Sequence, residues 1–141
     1  MSYTYLKKIN KKLPEFEGAN WLIRIPLAIV FIQQGFSKLP FDPTTAEAYG
    51  LPLLIWLFVI ISELLAGFGL LFGGILRSVD LLKWFGDFLT RFCGTIMVVI
   101  ISGVIIINKP ESFIEVLLYD NLHIILYCGG LFFALRGNRV K

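Results

Sequence analysis

The chain is short of the residues that most often carry chemistry. Its 141 residues include one histidine, two cysteines and two methionines. A single histidine excludes a bis-histidine haem held within the chain. Cys93 and Cys128 have no CxxC spacing and no neighbouring histidine, so they do not read as a metal knuckle or a redox pair. They read as small apolar residues. There is no phosphate loop, no dinucleotide fingerprint and no metal cluster. Charge is scarce too: 16% of residues are charged, against about 25% in an ordinary soluble domain. No repeat, low-complexity tract or second domain is evident.

What is abundant is apolar surface. Hydrophobic residues make up 57% of the chain, and mean hydropathy is +0.78. A single domain of this length has no aqueous interior large enough to hide that much, so lipid must cover part of it. Four segments approach the roughly 20 apolar residues that a membrane-spanning helix needs. They are 21–39, 53–76, 88–107 and 116–135. The fourth is crowded in its first turns by Asp120, Asn121 and His123. The connections carry helix breakers: "PFDPTTAEAYGLP" at 40–52 and "NKPESFIE" at 108–115. "RSVDLLKWFGD" at 77–87 reads as a short turn at the interface. The first segment is too long, and lacks the small-residue cleavage site, for a signal peptide.

The expectation is therefore an all-α integral membrane protein, a four-helix bundle forming one domain over 1–141. Positive charge orients it. With the N-terminus in the cytoplasm, eleven of the thirteen basic residues fall inside: Lys7, Lys8, Lys11, Lys12, Arg24, Arg77, Lys83, Arg91, Arg136, Arg139 and Lys141. Only Lys38 and Lys109 fall outside. Both termini are then cytoplasmic. The basic balance reads as a topology signal facing anionic lipid rather than a nucleic-acid surface. Before the first span, Leu6, Ile9, Leu13 and Phe16 recur at helical spacing among lysines. That pattern predicts a short amphipathic helix lying in the interface.

One residue breaks the pattern. In "FVIISELLAGF" at 58–68, Glu63 stands at the eleventh position of a 24-residue apolar run. An acidic group that deep costs about 2.5–3.5 kcal/mol to insert. It is either a functional group or a clamp hydrogen-bonded between helices. On this topology Glu63, Gln33, Gln34, Lys38, Ser102 and His123 share one depth, between the midplane and the outer surface. Four helices can gather them into one cavity open to the outer side. Glu63 is the candidate proton relay. Arg24, Gln33, Gln34, Lys38 and His123 are the candidate ligand-binding residues. No metal is expected.

Three stretches carry a resemblance. They are "RIPLAIVFIQQGFSKL" at 24–39, "SELLAGFGLLFGGILR" at 62–77 and "ALRGNR" at 134–139. In order and spacing the chain resembles the DoxX family of small four-helix bacterial membrane proteins. The matching positions are Arg24, Gly35, Lys38, Glu63 and Arg77. The third span departs from the family pattern in having no histidine. The resemblance implies a bacterial cytoplasmic membrane location. It also implies a link to quinone-dependent oxidoreduction, since the related DoxD protein is a membrane subunit of a thiosulfate:quinone oxidoreductase. Implied companions are quinone as a non-covalent cofactor and a partner subunit carrying a redox centre. The alternative is a non-catalytic scaffold or accessory subunit of a larger membrane complex. A homo-oligomer is compatible with either, and a third, weaker reading, transport of a small anion, requires one.

Overall fold

A computed structural model describes residues 18–139, and among these every regular element is helical. The predicted interfacial helix at the N-terminus lies outside the described residues. Helix α1 spans Ala19–Ser37, α2 Pro43–Ala48, α3 Leu53–Leu76, α4 Lys83–Ile107, α5 Phe113–Tyr119 and α6 Asn121–Arg136. A single 3-10 turn, Asp80–Leu82, leads into α4.

Two helices are long and apolar enough to cross a membrane: α3, and α4 with its leading turn. At 1.5 Å per residue, the 24 residues of α3 reach about 36 Å. A third crossing is available if α5 and α6 count as one span. Helix α1 is not among them; it carries Arg24, Gln33 and Gln34 and runs 19 residues. Large apolar side chains such as Leu22, Phe58, Phe72, Phe88, Val99 and Leu135 stand exposed around the bundle. A continuous apolar exterior of this kind marks a surface that is covered by something other than water.

The predicted fourth span, 116–135, is not one straight helix. α5 and α6 meet at 97°. The break is at Asp120, whose backbone sits at φ −105°, ψ 52°. Aspartate competes for backbone hydrogen bonds and so favours helix ends over interiors. Val116–Tyr119 therefore belong to a short helix nearly perpendicular to α6. The loop predicted at 40–52 also holds more order than expected. Asp42 caps α2 by accepting from the Thr44 amide at 3.1 Å, and Pro43 takes the first-turn position where its missing N–H is harmless.

Within the bundle α1 packs on α3, α3 on α4 and α4 on α6, while α1 touches α6 more lightly. Each helix turns one stripe inward at the three-and-four spacing of an α-helix. On α3 the stripe includes Trp56, Ile60, Glu63, Gly67, Leu70 and Gly74. On α1 it runs Asn20, Arg24, Leu27, Phe31 and Gly35, and three residues further on lies Lys38. The shared core gathers Leu27, Phe31, Leu70, Met97, Leu126 and Phe133. A smaller cluster joins α2 to α3 through Ala46, Trp56 and Ile60.

Candidate functional site

Lys38 follows the last residue of α1, and Glu63 lies mid-way along α3. Their side chains meet. Lys38 Nζ donates to both carboxylate oxygens of Glu63, at 2.9 and 2.8 Å. The carboxylate side chain is 5% exposed and the ammonium side chain 16%. Lys38 Nζ also donates to the Gln34 carbonyl at 3.1 Å and reaches its side-chain oxygen at 3.4 Å. The ammonium stands 5.8 Å from the centre of the Trp56 ring, on the stripe of α3 that also carries Glu63. The cost of burying the glutamate is thus offset by an opposite charge, and the ammonium's three protons have acceptors.

This pair borders a cavity of about 520 Å³. Its walls come from α1, α3, α4, α6 and the segment after α2. Most are aliphatic or aromatic: Val30, Phe31, Val59, Ile100, Val104 and Leu126 among them. The polar wall groups include Gln34, Lys38, Ser62, Glu63, Asn108 and His123. The volume and the balance of many apolar walls with few polar groups match small-molecule sites. Trp56 and Tyr49 also line it, their rings stacked at 5.1 Å. Trp56 is 3% exposed, and its Nε1–H has no acceptor. A buried donor left without a partner costs about 1–3 kcal/mol.

The structure thus brings Gln34, Lys38, Glu63 and His123 to one cavity. It leaves Gln33 off the wall and exposed. Gln34 precedes Lys38 by four residues and shares its face; Gln33 is rotated a further 100°. Ser102 is also absent from the wall. Its hydroxyl bonds back to the Val98 carbonyl of its own helix at 2.8 Å, and Gly103 lines the cavity instead. The two cysteines divide: Cys93 is buried, whereas Cys128 is exposed, on the outward face of α6.

Arg24 does not join this site. It lies 14 residues before Lys38, about 21 Å along α1. It is fully buried in a second polar cluster. Its guanidinium donates to the Leu70 carbonyl, to Thr90 Oγ1 at 3.2 Å and to Asn138 Oδ1 at 2.6 Å. The guanidinium carbon stands 4.5 Å from the Phe133 ring centre. Asn138 in turn donates from Nδ2 to the Gly73 carbonyl at 2.7 Å and from its backbone amide to Asp87 at 2.7 Å. Asp87 accepts from Arg91 Nε at 2.9 Å. No carboxylate bonds Arg24 directly among the described residues, and its Nε–H has no acceptor.

Sequence reading missed Trp56, Tyr49 and Asn138, and it named Asp120 beside His123 without pairing the two. Trp56 was legible, since it stands seven residues before Glu63 and so on the same face of α3. Asp120 was legible three residues before His123. Asn138 was not, because the tertiary fold alone returns the chain end to Arg24. Compared with family models, with curated proteins and with solved structures, the chain matches none.

Proposed function

We propose that this chain is a DoxX-like four-span bundle of the bacterial cytoplasmic membrane, with both termini inside, that binds a lipid-soluble quinone in the cavity beside Lys38 and Glu63. It serves a quinone-linked oxidoreductase whose electrons come from a redox centre on a partner subunit. The observation that carries this reading is a buried ion pair in the wall of a largely apolar cavity. The positive-inside count supports the orientation, and it puts the cavity toward the outer leaflet.

The wall suits such a ligand. Aliphatic and aromatic residues match a ring and an isoprenoid tail. The unpaired Nε1–H of Trp56 is a neutral donor suited to a carbonyl oxygen. When bound, a quinone supplies reversible two-electron, two-proton chemistry. Lys38 and Glu63 hold each other in place, so the ammonium stays at the wall with its charge balanced. The surrounding walls cover the Lys38–Glu63 pair, whose side chains are largely buried, and strengthen its interaction.

Purification in mild detergent followed by mass spectrometry of bound small molecules tests this reading. Quinone is expected to co-purify with the wild type and to be lost from Glu63→Gln. A protein that carries no quinone, and takes none up when it is added, overturns it.

One observation favours the scaffold reading: both Glu63 oxygens are already taken by Lys38, which ties α3 to the end of α1 as a clamp does. On that reading a stoichiometric protein partner co-purifies without small molecule, and Glu63→Gln lowers thermal stability alone.

A further inference from the structure

Two observations meet at His123. The first concerns Asp120, which occupies the N-cap position of α6. A carboxylate there ordinarily accepts from one of the free amides of the first turn. Asp120 makes no such bond. Its Oδ1 lies 2.5 Å from Nδ1 of the His123 ring instead. The second concerns the other ring nitrogen. His123 lines the cavity, and its sole hydrogen bond among the described residues is the one to Asp120.

Together these set the tautomer. A carboxylate against Nδ1 claims that nitrogen's hydrogen, so the neutral ring presents Nε2 as a lone-pair acceptor. Of the other wall acceptors, the neutral oxygens of Tyr49, Ser62 and Asn108 lack the adjacent carboxylate that His123 has. Both Glu63 oxygens are engaged by Lys38, as is the side-chain oxygen of Gln34. Trp56 is a donor only. The charged and titratable groups around the cavity are Lys38 from α1, Glu63 from α3, Tyr49 after α2 and Asp120 beside His123 itself; α4 contributes the neutral Asn108.

We infer that His123 is the ligand-reading acceptor of the cavity, that Asp120 is its positioning residue, and that the ligand it reads is an apolar molecule bearing an aromatic hydroxyl. The inference rests on the cavity being a ligand site and deepens that reading: the form recognised is the reduced, hydroxyl-bearing one. The hydroxyl donates to Nε2, and the Asp120 carboxylate, by accepting from Nδ1, makes Nε2 a better acceptor.

The test uses the full chain in mild detergent and two probes with the same apolar body. They are 4-heptylphenol and its methyl ether, which lacks the O–H. Binding is read by calorimetry at pH 8. The phenol is expected to bind about tenfold more tightly than the ether at pH 8, the worth of one good hydrogen bond. His123→Ala abolishes the preference, and Asp120→Asn weakens it. If His123→Ala also loses the ether, His123→Phe, which keeps the ring volume, decides. A preference that survives in either variant overturns the inference. Equal affinities for phenol and ether in the wild type overturn it while leaving the cavity a ligand site. Failure of both probes to bind overturns it together with the ligand-site reading.

Discussion

Lys38 and Arg24 lie on the same face of the same helical segment, and their surroundings differ in kind. Around Lys38 there is an opposite charge, two bonds to it and an open cavity. Around Arg24 there is no directly bonded carboxylate among the described residues, only neutral oxygens and two aromatic faces, those of Trp21 and Phe133. Packing at the glycines differs as well, apart from Gly35 beside the ion pair, where a Cβ would stand 2.7 Å from the Leu64 side chain. Near the Arg24 end, backbone meets backbone at glycines. A Cβ placed on Gly94 would stand 2.5 Å from the Ala134 nitrogen and 2.7 Å from the Gly130 oxygen, and one on Gly86 2.9 Å from the Gly73 oxygen. Near the cavity, Gly103 has nothing within 4 Å of the same imaginary atom. One end of the bundle is closed around its cation and the other is held open beside its ion pair. A buried charge therefore does not by itself mark a ligand site. One of the two buried charges borders a cavity and the other does not.

The sharpest way to break this comparison is to empty the closed end. Arg24→Ala removes a large buried side chain and strips Thr90 and Asn138 of their shared donor. A loss of about 2–5 kcal/mol in unfolding free energy is expected, with ligand binding by the remaining folded protein unchanged. A stable variant that loses ligand would show that the two ends are not distinct.

Next comes the pair itself. Glu63→Leu leaves the ammonium without its counter-charge and is expected to cost about 3 kcal/mol, the lower part of the range for breaking a buried pair, because Lys38 is partly exposed. Adding Lys38→Met should restore most of that stability without restoring ligand. If the double variant is as unstable as the single one, the pair is not what stabilises this end.

The glycines sharpen the contrast at lower cost. Gly94→Ala forces α4 away from α6 and should lose about 1–3 kcal/mol. Gly103→Ala, on the same helix, should be neutral or gain up to about 1 kcal/mol from the stiffer unfolded and helical backbone. Equal effects at the two positions would deny the difference in packing.

The smallest effect concerns α2, which borders the open end. Hydrogen bonds from the Thr44 hydroxyl, and then from its backbone amide, hold the Asp42 carboxyl below the usual carboxylate range. The sign follows: the cap is present at neutral pH and is lost as the pH falls through that lowered value. Trp56 stacks on Tyr49 at the end of α2, so its fluorescence in a protein lacking the other two tryptophans reports the loss. Asp42→Asn should remove the transition, and a midpoint above the ordinary carboxylate value would contradict the cap.

Much of this was legible before any coordinates. The apolar runs at 53–76 and 88–107 are strong enough that local context cannot override them, and both form helices, the second starting earlier, at Lys83. Glu63 announced itself because an acid in an apolar run has few alternatives to a partner, and Lys38 was among the candidates at its depth. The break at Asp120 was the harder case. The run from 116 to 135 is apolar on average, and averaging hides a single cap-forming residue. Arg24 was assigned to the ligand site because sequence reveals charge but not which acceptors will surround it.

Sequence alone therefore determined the helical character, the need for an apolar environment and the identity of the residue that had to find a partner. Those properties follow from composition and from the three-and-four period, which act locally. Tertiary structure alone decided that Lys38 answers Glu63, that Gln33 faces away, that Asn138 returns from the chain end to Arg24, and that a cavity stays open beside one charge and not the other. Those depend on how closely helices approach, and the glycines and bulky side chains that set the approach lie far apart along the chain.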